Sequence, residues 1–176
     1  RLAEGIKHFF VLAPNLTIYN KLIDDFTNRQ SPKYVFKGIN EFVLNPPEII
    51  TGDNYDSGRG IRSGVSGISP RQSRLFDGSV GEGPIHVNIF NISKINSEVR
   101  GGKSPRIKRL SEYIGESYFE YLSKLPDLVM LMDESHRYRE SAGLNAINEL
   151  EPILGLELTA TPQVQQGQRY TPFKNV

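Results

Sequence analysis

The chain has 176 residues, a formal net charge of +1 and no cysteine. Its length suits a single domain with a sizeable core, and its near-neutral charge excludes a protein that binds bare duplex through a strong overall positive field. The lack of cysteine excludes disulfides and thiolate metal sites and fits a cytoplasmic location, and no apolar run has membrane-spanning length.

The first predicted strand covers residues 9–12 and runs into Ala13, Pro14 and Asn15. The side-chain oxygen of Asn15 can cap a helix that begins there. The helix is predicted from apolar residues at helical spacing, namely Leu16, Tyr19, Leu22, Ile23 and Phe26. Two further short strands are predicted at residues 34–36 and 49–51.

Residues 52–83 are rich in glycine and serine and poor in large apolar side chains. Such a segment cannot bury enough apolar surface to offset its ordering entropy, so we predict a long flexible insertion. We interpret the arginines of this segment as residues of a solvated loop. The alternative is that they contact phosphate.

An alternating pattern predicts a strand at residues 85–92, and its polar end includes Asn91, Ser93 and Lys94. Apolar residues at helical spacing then predict an amphipathic helix at residues 106–125. The pattern places this helix against the sheet, just before the next strand.

Residues 128–132 form an unbroken apolar run that ends at Asp133, Glu134, Ser135 and His136. Such a run is typical of a strand buried on both faces in a parallel sheet, and ligands bind beyond the carboxyl ends of those strands. Asp133 can hold Mg²⁺ through water, and Glu134 can polarise the water that attacks a γ-phosphate. A strand that simply ends in a polar turn is the alternative.

A helix is predicted at residues 141–154, stopped by Gly155, and a strand at residues 155–158 that leads into Thr159, Ala160, Thr161 and Pro162. Strands that alternate with helices imply an α/β fold with a parallel sheet covered on both faces.

The string from Asp133 to Arg139, followed at this distance by the string from Leu156 to Pro162, resembles motifs II and III of superfamily 2 helicases and translocases. It is most similar to the restriction (Res) subunit of type III restriction-modification enzymes. The resemblance implies a RecA-like P-loop NTPase fold, in which residues 1–176 make up part of the first RecA-like domain, from motif Ia to motif III.

The resemblance also implies an ATP-dependent motor that moves on DNA and uses ATP and Mg²⁺. Asp133 would coordinate Mg²⁺, Glu134 would orient or deprotonate the attacking water, and His136 would link the nucleotide site to nucleic acid or to a second domain. Thr159 and Thr161 would couple hydrolysis to domain movement.

The same resemblance implies that the ends of two strands contact DNA. Motif Ia corresponds to Pro14 and Asn15, and a second contact corresponds to Ser93 and Lys94. The implied partners are DNA, a modification methyltransferase, and the second RecA-like domain and nuclease domain of the same polypeptide.

The family's phosphate-binding motif I, Gly-x-x-x-x-Gly-Lys-Ser/Thr, does not occur before residue 9. Its lookalike at Gly101, Gly102, Lys103 and Ser104 lacks the outer glycine and is followed by Pro105, so we interpret it as a surface loop. We expect a domain truncated at its N-terminus that lacks the P-loop strand and does not hydrolyse ATP by itself.

Two other functions remain open. One is a different superfamily 2 helicase, acting on DNA or RNA. The other is a nucleotide-independent interaction domain, although the acid pair at a buried strand end argues against it. The three histidines show no metal-ligand spacing.

Overall fold

The computed structural model describes residues 5–57, 84–100, 104–111, 115–134 and 148–158. In these residues five strands form one sheet in which all pairs are parallel, in the order β2-β3-β1-β4-β5. The strands are β1 (His8–Ala13), β2 (Glu48–Thr51), β3 (His86–Asn91), β4 (Leu128–Asp133) and β5 (Leu154–Leu158). The predicted parallel α/β sheet is confirmed.

Helices connect these strands in the described part of the chain. They are α1 (Leu16–Thr27), α2 (Asn40–Leu44), α3 (Ile92–Arg100) and α4 (Tyr118–Ser123). Short 3-10 helices occur at Tyr55–Ser57, Arg106–Lys108 and Asn148–Leu150. The sequence pattern predicted α1 but not α3, whose mean hydropathy is low.

The central strand β1 divides the core into two clusters, one on each face of the sheet. Phe10 and Leu12 belong to one cluster, while Val11 and Ala13 belong to the other. Residues of α3 and α4 cover the first face, and residues of α1 and α2 cover the second. Because both faces are covered, the interior strands carry nearly continuous apolar runs, which is the pattern from which the sheet was predicted.

One buried polar side chain, Asn88 of β3, ties the sheet to α4. Its amide nitrogen Nδ2 donates to the backbone oxygen of Phe9 at 3.0 Å, and its Oδ1 accepts a hydrogen bond from the Tyr118 hydroxyl. Both side chains are only 1% exposed. Burial raises the pKa of Tyr118 well above its usual value, so the hydroxyl stays a donor.

The strand predicted at residues 34–36 is wrong, because these residues form turns. The Tyr34 amide donates to the Ser31 oxygen, and the Lys37 amide donates to the Tyr34 oxygen. The ring of Phe36 is buried edge-on against its aromatic neighbours, which include Phe26 and Phe42. Local turn bonds and aromatic packing therefore outweigh the strand preference of this tripeptide.

The single helix predicted at residues 106–125 is also wrong. The described residues of this stretch contain the 3-10 helix Arg106–Lys108, an antiparallel bridge between Leu110 and Ser117, and then α4. Ser117 begins α4 with a capping box, in which its side chain accepts from the Glu120 amide while Glu120 accepts from the Ser117 amide. The left-handed φ of +78° at Gly115 breaks the helical path just before this cap.

Other predictions fall partly outside the described residues. Of the predicted helix at residues 141–154, only the end is described, where Asn148–Leu150 is a 3-10 helix and Leu154 already lies in β5. Of the predicted insertion at 52–83, residues 52–57 form a turn and the 3-10 helix Tyr55–Ser57, and residues 58–83 lie outside the described part. No described helix is long and apolar enough to cross a membrane.

A cluster of titratable side chains lies at the amino edge of the sheet. The His8 ring nitrogen Nδ1 is 2.6 Å from an oxygen of Asp127, and the His8 and His86 rings meet edge-on with centroids 5.2 Å apart. His86 Nε2 is 3.5 Å from the Glu48 carboxylate. Burial, and secondarily the positive charge that His8 can carry, lowers the pKa of His86 to about 4.

Replacing Tyr118 by Phe should lower the free energy of unfolding by about 1–3 kcal/mol, because the buried Asn88 oxygen would lose its donor. Urea unfolding of both proteins measures this change. Tyr34→Phe is the matched control, since it removes the same atom from a side chain outside this buried network. A loss no larger than that of Tyr34→Phe would contradict the proposed importance of the bond.

Acid should destabilise the fold through His86. The unfolded chain binds a proton near pH 6.5, whereas folded His86 resists protonation down to about pH 4. Stability is therefore unaffected by His86 above pH 7 and falls by about 2–3 kcal/mol between pH 7.5 and 4.5. Urea unfolding at both pH values should show a clearly smaller acid loss for His86→Gln than for the original protein. Equal losses would exclude His86 as the cause.

Candidate functional site

The carboxyl ends of four strands lie at one edge of the sheet. Ala13 pairs with Asn91, so β1 and β3 end together. Leu12 pairs with Met132, and Asp133 pairs with Leu158, so β4 and β5 end beside them. Ligands of open parallel sheets bind at this edge. The register therefore brings the predicted nucleotide residues and the predicted nucleic-acid residues to the same edge.

Asp133 and Glu134 lie at the end of β4, next to the ends of β1 and β5. Asp133 is the last residue of the strand, and Glu134 is the first residue of the following turn. Both side chains are half-buried. Carboxylates held at this position can bind a hydrated divalent cation and accept a proton from water.

Glu134 has a left-handed backbone with φ +51°. This conformation is uncommon for residues other than glycine and is frequently found at functional sites. The sequence contained no signal for this conformation.

Three predicted site residues lie outside the described part of the chain. They are His136, Thr159 and Thr161. Leu158, the residue before Thr159, pairs with Asp133 across the β4 and β5 strands.

At the end of β1, Asn15 caps helix α1 as predicted. Its side-chain oxygen accepts from the Ile18 amide at 3.0 Å. The backbone oxygen of Pro14 accepts a hydrogen bond of 2.6 Å from the hydroxyl of Ser93. The two predicted nucleic-acid segments, which are far apart in sequence, are therefore in direct contact.

Asn91 starts the second helix of this edge in a similar way. Its side-chain Oδ1 accepts from the Ser93 amide at 2.8 Å and more weakly from the Lys94 amide at 3.4 Å. The N-termini of α1 and α3 consequently both lie at the carboxyl edge of the sheet. A helix N-terminus favours negative charge in its vicinity, so this edge suits an anionic ligand.

The side chain of Lys94 is held by an acid that sequence reasoning did not select. Its Nζ is 3.0 Å from Oδ1 of Asp53, whose other oxygen accepts from the Tyr19 hydroxyl at 3.0 Å. The hydrogen bond from Lys94 is the main reason that the pKa of Asp53 is below its usual value. Burial raises the pKa of Tyr19 to about 12. The sequence could have pointed to Asp53 through its position two residues after β2, at the carboxyl edge of the sheet.

A second pair lies beside the first. The Arg106 guanidinium forms a salt bridge with Asp56 and lies 5.8 Å from the centroid of the Tyr55 ring. Between the two pairs is a cavity of about 30 Å³, lined by groups that include Phe90 and Ile107. This space is large enough for about two water molecules.

The donor set at the end of β4 fits Mg²⁺ that arrives with a nucleotide. In the described residues no group of three or more histidine, cysteine, aspartate or glutamate side chains could hold a metal alone. Magnesium sites of nucleotide-binding proteins commonly use one or two carboxylates, with waters and phosphates as the remaining ligands. Asp133 can supply such a carboxylate.

Comparison with known proteins decides the family. The sequence model of the family described as type III restriction enzyme, res subunit, matches residues 1–164. The chain belongs to this family. A search of curated proteins found no match.

Membership of the Res family identifies the five-stranded parallel sheet as the RecA-like fold of P-loop NTPases. It also indicates a helicase-like ATPase motor domain, for which a nucleotide and Mg²⁺ are the usual cofactors. This match confirms the resemblance that was inferred from the two sequence strings, Asp133 to Arg139 and Leu156 to Pro162.

Replacing Glu134 by Gly should relieve about 1 kcal/mol of backbone strain, because glycine adopts a left-handed φ without strain, but it also removes the contacts of the Glu134 side chain. Glu151→Gly is the matched control, since Glu151 is the other described residue besides glycine with a positive φ, at +48°. Urea unfolding should give a gain for Glu151→Gly and a smaller gain for Glu134→Gly, because only the second variant also loses side-chain contacts. A gain at Glu151 with a loss at Glu134 would show that side-chain contacts of Glu134 outweigh its backbone strain.

Proposed function

We propose that this chain is part of the ATP-dependent DNA translocase motor of a type III restriction endonuclease. The observation that supports it best is the position of Asp133 and Glu134 at the carboxyl end of an interior strand. There the pair lies in register with the ends of β1 and β5. Two adjacent carboxylates at this edge suit phosphoryl transfer to water, and the Res family provides the motor context.

ATP with Mg²⁺, when bound, supplies the phosphoryl group and neutralises the charge that develops on it. Asp133 would hold the metal, and Glu134 would orient the attacking water and accept its proton. By the sequence resemblance, His136 links this site to DNA or to the second domain, and Thr159 and Thr161 couple hydrolysis to domain movement.

DNA contacts the neighbouring part of the same edge, at Pro14, Asn15, Ser93 and Lys94. Support comes from the hydrogen bond between Ser93 and Pro14, which joins the two segments into one surface. The ammonium group of Lys94 is half-exposed and supplies the positive charge that a phosphate requires. Because net charge is only +1, this local arrangement matters more than the overall field.

The partners of the proposed motor follow from the Res family. They are DNA, a modification methyltransferase, and the second RecA-like domain and nuclease domain that complete the endonuclease. A cytoplasmic location agrees with these partners.

In the intact enzyme, Glu134→Gln should abolish ATP hydrolysis and leave ATP binding unchanged, because the amide keeps the size of the side chain but cannot accept the proton of the attacking water. The measurement is steady-state phosphate release with and without duplex DNA, together with equilibrium binding of ATP. Glu151→Gln is the matched control and should hydrolyse ATP normally.

Hydrolysis that is stimulated by DNA in the original enzyme and lost in Glu134→Gln supports the translocase. Stimulation by RNA instead of DNA would favour another superfamily 2 helicase. Normal hydrolysis by Glu134→Gln would contradict the role given to Glu134, and an enzyme that neither binds nor hydrolyses ATP would indicate an interaction domain.

A further inference from the structure

A short turn after β2 places two acids against two cations from other parts of the chain. Asp53 pairs with Lys94 at the start of α3, at a distance of 3.0 Å. Asp56 pairs with Arg106 of the 3-10 helix Arg106–Lys108. We call residues 52–57 the acidic turn.

The acidic turn is held mainly by contacts other than its carboxylates. The Thr51 amide donates to the Asn54 side chain at 2.7 Å, and the Ser57 hydroxyl donates to the Asn54 backbone oxygen at 2.6 Å. Tyr55 is 4% exposed and anchors the turn in the core beside Phe90 and Tyr118. The acids can therefore be changed without unfolding the turn.

Both ion pairs lie at the surface and are open to exchange. The side chains of Lys94 and Asp53 are 50% and 62% exposed, and those of Arg106 and Asp56 are 45% and 41% exposed. Water screens such pairs, so each contributes little to stability and can be replaced by a competing anion. Because both exposed groups are cations, a nucleic acid would contact them through its phosphates.

We propose that Asp53 and Asp56 compete with DNA phosphates for Lys94 and Arg106, so that the acidic turn limits the affinity of the motor for DNA. This inference rests on the proposed DNA contact at Lys94 and adds Arg106 to that contact. DNA binding then exchanges two intramolecular ion pairs for two phosphate contacts. Weak binding to the DNA backbone suits a motor, because the protein must release these contacts at each step.

The proposed exchange affects how steeply the affinity for DNA falls with salt concentration, which can be measured. Phosphates release condensed cations when lysine or arginine neutralises them, which makes binding fall steeply with salt. Carboxylates that are displaced at the same moment attract cations back and reduce the net release. Removing a carboxylate should therefore increase both the affinity for DNA and its dependence on salt.

The test is binding of a fluorescein-labelled duplex of mixed sequence to the intact motor subunit, by anisotropy at several salt concentrations without nucleotide. Asp53→Asn keeps an acceptor for Tyr19 but removes the charge opposite Lys94. We expect affinity to rise about two- to five-fold, with a salt slope steeper by up to about one. Asp56→Asn should act in the same direction, and the double variant should combine the two effects.

Two controls separate competition from a general change of charge. Glu116→Gln removes one negative charge from a different surface pair, with Lys124, and should leave binding nearly unchanged. In a Lys94→Met background, Asp53→Asn should no longer raise affinity, because the cation for which the acid competes is gone.

The proposed competition would be overturned if Glu116→Gln and Asp53→Asn raised the affinity for DNA equally. It would also be overturned if Asp53→Asn still raised the affinity in the Lys94→Met background. Unchanged binding by both acidic-turn variants, while the original subunit still binds DNA and is stimulated by it, would reject this inference alone. Absence of DNA binding by the original subunit and by every variant would reject the proposed DNA contact together with it.

Discussion

The parallel pairing of β1 with β3 on one side and with β4 on the other is the constraint on which the rest of the structure depends. It buries β1 from Phe10 to Ala13, so alternate residues of the strand enter the two core clusters. It also sets the register, so the strands end together at one edge. Any shift of one residue would exchange the faces of β1 and separate the ends of β3 and β4.

The two edges of the sheet satisfy their polar groups in different ways. At the carboxyl edge, Asn15 and Asn91 cap two helices, whose N-termini make this edge favourable for anions. At the amino edge, acids and histidines pair with one another around the ring of His86. The edge with helix N-termini suits a charged ligand, whereas the opposite edge is organised by contacts within the protein.

The carboxyl edge has two parts that meet at β1. Asp133 ends β4 and Glu134 follows it, while Lys94 and the acidic turn follow β3 and β2. In the proposed motor, nucleotide chemistry occurs in the first part and DNA is held in the second. The strands between them form one hydrogen-bonded sheet.

The sequence by itself determined the parallel α/β class, the strands around β1 and β4, the cap at Asn15 and the acid pair after β4, because long apolar runs and capping residues act over a few neighbouring positions. Membership of the Res family was also evident from short strings of residues. Tertiary structure decided that residues 34–36 form turns around a packed Phe36 ring and that residues 106–125 do not form one helix. It also decided the left-handed φ of Glu134 and the pairing of Asp53 with Lys94. These features depend on contacts between residues that are distant in sequence, or on a backbone strain that only the assembled sheet can hold, and neither leaves a local pattern.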